Sequence, residues 1–292
     1  MKNQDIDIFL LMIGSMKCGT TSLFHYLAQH PEISRCRQKE PNFFSNNNSW
    51  VRGFDYYKSL WDYDHETHKI ALEASTAYTK LPRKTDVVDR IYQIKSEQKV
   101  NFKFVYIVRN PIDRIVSHCT HDLQEGWSLK YKQNIVHGIP YPAIEVSKYA
   151  MQLDAYHKRF PKEDILIITF DDLKARPQEV LKKICDFAGI NSDFDFSDVS
   201  KLHNRSKGMM RTNSLWPTFD RYIASPIISY LPSGKQRRAK NAVRKFFTVE
   251  EITEKVEFSE SQRNFITQEL RDDLRKLTQE YGIDISRWGL GV

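Results

Sequence analysis

At 292 residues, 40% of them apolar and 28% charged, the chain can bury a substantial core, which excludes an intrinsically disordered protein. Its formal net charge of +7 favours an anionic partner, whether nucleotide, acidic glycan, nucleic acid or membrane surface, without choosing among them. The four cysteines, Cys18, Cys36, Cys119 and Cys185, make no C-x-x-C pair and no zinc-like spacing with histidine, which points to free thiols in a reducing compartment.

Residues 8–13 are a short apolar run ended by Gly14, the pattern of a buried strand. The run is too short to span a bilayer, follows Asp5 and Asp7, and lacks the basic leader of a signal peptide, so a cytoplasmic location is expected. Residues 20–30 follow as a helix with Leu23, Tyr26 and Leu27 on one side and Pro31 beyond its end. Residues 69–74 and 102–109 are further strands, the second rich in β-branched and aromatic side chains. Pro111 opens a helix whose apolar side carries Ile112, Ile115 and Val116. A helix over 149–160, a strand over 164–170 and a helix over 177–188 closed by Gly189 complete the alternation. Such alternation predicts an α/β fold: a mainly parallel central sheet flanked by helices in three layers.

Beyond about residue 198 the composition changes to polar "SKLHNRSKGMMRTNSL", then basic "SGKQRRAKNAVRKFF", then a charged amphipathic helix over 259–281. These are expected as additions to one domain spanning residues 1–292.

"MIGSMKCGTTSL" places glycine-bearing backbone between a strand and a helix, the setting of a phosphate-binding loop. A triphosphatase loop reads G-x-x-x-x-G-K-[ST]; here Gly14 and Gly19 have that separation, but Thr20 stands in the lysine's place and Lys17 lies inside the loop. An internal lysine can meet a departing phosphate without a metal. A second anion site lies in "FVYIVRNPIDRIVSHCTHD": Arg109 ends a strand at the edge where open α/β sheets bind ligands, and Ser117 follows two helical turns after Asn110. Arg114 reads as a structural residue. Two anion sites at two strand ends suit a nucleotide with phosphates at both ends of its ribose.

Together these stretches resemble the sulfotransferases that use 3′-phosphoadenosine 5′-phosphosulfate (PAPS). "GSMKCGTTSL" is similar to their 5′-phosphosulfate loop and "RNPIDRIVSHCTH" to their 3′-phosphate motif R-x-P-x-x-R-x-x-S. The resemblance runs on through "FPKEDILIITFDDLKARPQEVLKKICDFAGI" to the terminal "YGIDISRW". It implies a P-loop-kinase-like fold and an enzyme that moves a sulfuryl group from PAPS to an acceptor hydroxyl or amine, releasing adenosine 3′,5′-diphosphate and needing no metal. Lys17, Cys18, Gly19, Thr20, Thr21 and Ser22 would cradle the 5′-phosphosulfate, and Arg109 and Ser117 would hold the 3′-phosphate. Lys207, Gly208 and Arg211 fall in a segment similar to the family's nucleotide-closing loop.

"KEPNFFS" resembles the Glu-x-x-Phe-Phe segment of the heparan-type branch, whose glutamate is the catalytic base, so Glu40 takes that role beside Lys17. Other branches use histidine, which keeps His118 and His121 in reserve. Where the heparan-type branch has Glu-Lys-x-x-x-Tyr, "LEASTAY" retains Glu73 and Tyr78 but has Ala74 for the lysine, and Ser75 becomes a candidate substrate contact. The acceptor is a hydroxyl-bearing saccharide, phenol or lipid, with Phe43, Phe44, Trp127 and Tyr141 as candidate lining; nucleic acid is not expected. The alternatives are a P-loop kinase or triphosphatase, and a non-enzymatic binder of anionic polymers through residues 235–245.

Overall fold

The computed structural model describes residues 6–124, 134–197, 199, 210–213, 215–231, 233–251 and 256–291. One parallel sheet contains β1 (Ile8–Gly14), β2 (Ile33–Arg35), β3 (Ile70–Ala74), β4 (Asn101–Val108) and β5 (Ile165–Thr169), in the order β2-β3-β1-β4-β5. Helices α1 (Thr20–Leu27), α2 (Val87–Gln98), α3 (Pro111–Gln124), α4 (Tyr149–His157) and α5 (Pro177–Ala188) alternate with the strands, giving the expected α/β architecture.

The central strand explains its own sequence. β1 pairs with β3, Met12 opposite Ala74, and with β4, Met12 opposite Val105, so it has no open edge. Helices over both faces leave no place for a polar side chain, hence the unbroken apolar run. Successive side chains point to opposite faces. Leu10 and Met12 join Leu23, Leu27, Leu181 and Ile184 in one core. Phe9 meets the rings of Phe54, Tyr57, Trp61 and Phe102, with centroids 5.8, 5.4, 5.5 and 5.4 Å away.

α1 ends at Leu27, short of the expected residue 30, because His30 is pulled into other bonds. Its Nε2 lies 2.8 Å from the Asn191 carbonyl, and its Nδ1 accepts from the Glu32 N–H at 3.1 Å.

The chain gathers into two compact units, one holding residues 1–111, 145–204 and 270–292 and the other holding 112–144 and 205–269. The division falls within α9 (Glu260–Gln279), whose C-terminal half belongs to the first unit. The Asp273 carboxylate accepts from the N–H groups of Ala150 (3.0 Å) and Met151 (2.8 Å), capping α4, while Lys276 pairs with Asp154 at 2.7 Å. In the second unit, Arg114 is fully buried on α3 and donates to the Ala143 carbonyl. There too β6 (Met210–Thr212) pairs antiparallel with β7 (Thr248–Glu251). All four cysteines are buried and none forms a disulfide.

Because Phe9 is fully buried and surrounded by rings, Phe9→Ala should destabilise the protein by about 3–5 kcal/mol, read as a lower midpoint of urea unfolding with an unchanged slope.

Candidate active site

β3, β1 and β4 are neighbours running in one direction, so their carboxyl ends emerge side by side. From β1 the chain goes on to β2 at one edge, whereas β4 leads to β5 at the other, which makes the ends of β1 and β4 the switch point where ligands of such sheets bind.

The loop of residues 14–19 is built for close approach. Ser15 N–H donates to the Ile107 carbonyl at 2.9 Å, tying the loop to β4, and the Thr79 hydroxyl donates to the Ile13 carbonyl at 2.8 Å. Gly14 has no room for a side chain: a Cβ there would fall 2.2 Å from the Thr79 hydroxyl. Gly19 caps α1 in the left-handed region, φ +86°, and a Cβ on it would meet the Phe170 ring at 2.8 Å. A glycine cap offers no side-chain acceptor to the first N–H groups of α1, and no acid stands in that first turn. Helix dipole and N–H groups together make this turn a fitting receptor for an anion. Thr20 is buried at the helix start and Thr21 half-buried; Lys17, also half-buried, bends the loop with φ 70°.

Arg109, one residue beyond β4, reaches back to this loop. Its Nη1 donates to the Lys17 carbonyl at 3.2 Å, and its guanidinium lies over the Phe170 ring, 4.8 Å from the centroid. The Tyr149 hydroxyl donates to the Arg109 carbonyl at 2.8 Å, fixing the backbone from which the side chain springs. Phe170 therefore serves two neighbours, packing on Gly19 and stacking under Arg109. The two anion sites read in the sequence start from adjoining positions.

Glu40 stands over the end of β3. Its N–H donates to the Ala74 carbonyl at 2.9 Å. Its Oε2 accepts from both the N–H (3.0 Å) and the hydroxyl (3.1 Å) of Thr76, while Oε1 pairs with the Lys39 ammonium at 2.9 Å. Glu40 and Asn42 both adopt left-handed backbone, φ 60° and 55°. Such conformations in non-glycine residues cost about 1–3 kcal/mol each and persist only when neighbours hold them. Here Asn42 N–H donates to Ser75 Oγ (3.1 Å) and Asn42 Nδ2 to the Glu40 carbonyl (2.9 Å). Ser75 in turn donates to Glu73 Oε1 at 2.5 Å, and the Tyr57 hydroxyl donates to Glu73 Oε2. Beside Glu40 opens a cleft of about 570 Å³ whose walls include Asn42, Asn46, Asn47, Lys80 and Lys84.

Other candidates fall elsewhere. Cys18 packs its thiol in the core, and Ser22 is buried with its hydroxyl bonded to Tyr26. Ser75 is fully buried, its hydroxyl bonded to Glu73 and to the Asn42 N–H. Phe43 and Phe44 are fully buried core rings and neither lines the cleft beside Glu40. Ser117 lies half-buried on α3. On the same helix His118 is buried, with Nδ1 3.4 Å from the Arg114 guanidinium and Nε2 3.5 Å from Asp122, a packed structural setting. His121 Nδ1 is 4.0 Å from Asp122. Arg211 lies on β6 opposite Glu250, and Tyr141 donates its hydroxyl to Glu269 at 2.9 Å. Lys207, Gly208 and Trp127 lie outside the described residues. Thr76, Asn42 and Phe170 were not singled out by sequence. Thr76 had a signal, a hydroxyl residue just past a strand end; Phe170 had none.

The protein family described as "Sulfotransferase domain" matches residues 7–281. Mouse heparan sulfate glucosamine 3-O-sulfotransferase 5 is 28% identical over 210 residues, covering 68% of this chain and 57% of that protein. Human heparan sulfate glucosamine 3-O-sulfotransferase 6 is 26% identical over 190 residues, covering 62% and 52%. The chain thus spans a little over half the length of these relatives. A solved sulfotransferase from Alicyclobacillus acidocaldarius shares the fold, with a TM-score of 0.65 at 21% identity over 97% of this chain and 98% of that one.

Burial dominates Glu73 and pushes its carboxyl up to about 7, with nearby Glu40 adding to the rise, against the opposing bonds from Ser75, Tyr57 and Tyr78. The folded state therefore holds this proton more tightly than the unfolded chain, where the ordinary value is 4.5. Its contribution to stability is fully present below that ordinary value and is lost as pH rises through about 7. Glu73→Gln should flatten this fall, measured as the urea midpoint across mildly acidic to neutral pH.

Proposed function

Because the chain belongs to the sulfotransferase-domain family, we propose that it transfers a sulfuryl group from PAPS to an acceptor hydroxyl by in-line displacement. The observation that carries the reading is the meeting of Arg109 with the Lys17 loop at the ends of adjacent strands. It supplies cations and uncapped N–H groups from two directions, as a donor with phosphates on both sides of its ribose requires. Bound PAPS supplies the sulfuryl group and leaves as adenosine 3′,5′-diphosphate.

The chain's own residues divide the work. The first turn of α1, with Thr20, Thr21 and Lys17, holds the 5′ end and stabilises charge developing on the leaving phosphate. Arg109, stiffened by its stack on Phe170, holds the 3′-phosphate. Glu40 takes the acceptor's proton as general base. The Thr76 N–H holds Oε2 and its hydroxyl lies between the two oxygens, 3.1 Å from Oε2 and 3.3 Å from Oε1, so Oε1 is the less encumbered oxygen to accept the proton, once the flexible Lys39 side chain gives way. Asparagines and lysines line the cleft beside Glu40, with no aromatic ring among its described lining residues. Such walls favour a polar, hydroxyl-rich acceptor such as a saccharide over a phenol or sterol. A lysine at the head of the loop, as magnesium-dependent kinases have it, is replaced by Thr20.

The deciding experiment is incubation with radiolabelled PAPS and a panel of saccharides, phenols, sterols and lipid alcohols. Label passing to a polar acceptor supports the reading. Calorimetry that found magnesium–ATP bound and adenosine 3′,5′-diphosphate ignored would overturn it. Glu40→Gln should lower kcat by about 10²–10⁴-fold while leaving adenosine 3′,5′-diphosphate affinity unchanged. In contrast, Arg109→Ala should weaken that affinity by roughly tenfold to a hundredfold, the value of a charged hydrogen bond, and Lys17→Ala should depress kcat far more than affinity.

A further inference from the structure

The second unit contains a helical hairpin that the transferase reading does not use. Its first arm is a continuous helical run: α6 (Trp216–Phe219), a π-helical turn over Asp220–Ala224, and α7 (Ser225–Ile228). Its second arm is α8 (Ser233–Lys245). The arms are joined by Lys240, which pairs with Asp220 at 2.7 Å and donates to Ser225 Oγ at 3.2 Å. Gln236 closes the turn, its Nε2 donating to the carbonyls of Ser229 (3.3 Å) and Leu231 (2.8 Å).

The first arm buries one face through Trp216, Ala224 and Ile228 and turns an apolar face outward. Tyr222, Ile223, Ile227, Tyr230 and Leu231 are 68%, 46%, 64%, 91% and 39% exposed. Tyr222, Ile223 and Ile227 lie on the helical run, and Tyr230 and Leu231 follow at the turn that joins the arms. A soluble surface does not gather so many large apolar side chains without a use for them. The second arm reads "SGKQRRAKNAVRK", with cations throughout and no acid; Arg238 and Lys245 are exposed on it, and Phe246 just beyond is 88% exposed.

We propose that this hairpin docks on an anionic lipid bilayer. The tip around Ile227, Tyr230 and Leu231 enters the headgroup boundary, and α8 lies against the lipid phosphates. Charge complementarity selects this occupant. An apolar face beside a purely basic helix is the pairing that interfacial helices use, and tyrosine suits the boundary between acyl chains and water. Two copies of this chain facing one another would bring like-charged α8 helices together. A nucleic acid or sulfated polymer would satisfy α8 but leave the aliphatic face unused. Among the described residues no helix is long and apolar enough to cross a membrane, so the contact is peripheral. The inference stands apart from the PAPS reading and survives or fails without it.

The test is co-sedimentation of the full chain with vesicles of phosphatidylcholine alone or mixed with phosphatidylglycerol. Binding should require phosphatidylglycerol and weaken steeply with salt. Ile227→Ser/Tyr230→Ser and Arg238→Glu/Lys245→Glu should each lower the partition coefficient tenfold or more. These side chains are exposed, so unchanged urea midpoints will show that the variants still fold. As a second readout, the fluorescence of a Tyr230→Trp variant should shift to the blue with mixed vesicles and not with phosphatidylcholine. The proposal fails if wild type does not sediment, or if neither double variant weakens binding. It fails equally if only the charge variant matters while soluble heparin or DNA binds as tightly, or if ultracentrifugation shows the hairpin residues joining two copies.

Discussion

β1 is hydrogen-bonded along both edges, and the placement of every group proposed for chemistry follows from that. A strand held by β3 on one side and β4 on the other cannot slide without breaking two ladders. Its neighbours' ends are therefore fixed to within the spacing of adjacent strands, about 4.8 Å each. Lys17 leaves from the middle strand, Arg109 from one flank, and Glu40 is bonded to the end of the other. Precision at the site comes from the sheet, while the loops add only short reaches from it.

A buried polar chain connects the core to the proposed base. Glu73 is fully enclosed and bonded by Tyr57 and Ser75; Ser75 receives the Asn42 N–H; Asn42 returns a bond to the Glu40 backbone. Each link bonds the next, which is what makes a buried polar network tolerable in an apolar surrounding, although Asn42 Oδ1 is buried with no partner among the described residues. The left-handed turn at Glu40 and Asn42 is stored strain, and this network is what holds it.

Much of the frame was legible in the sequence, because its signals are local. The apolar runs gave the strands, and the glycine spacing marked the loop between β1 and α1. Arg109 could be placed from its position after a strand. What escaped depends on contacts distant in sequence. Phe170 matters only because β5 brings it beneath Arg109 and against Gly19. Phe43 and Phe44 resemble pocket residues in one dimension, yet the aromatic cluster around Tyr57 absorbs them. The bond by which Asp273 caps α4 likewise crosses more than a hundred positions and is invisible to composition.

The Phe170 ring also limits how this loop could be exchanged. Seated against Gly19, it admits no side chain at the position just ahead of α1. Transplanting a triphosphatase loop, with its lysine one place further on, would leave that glycine in register while stripping the cation from position 17.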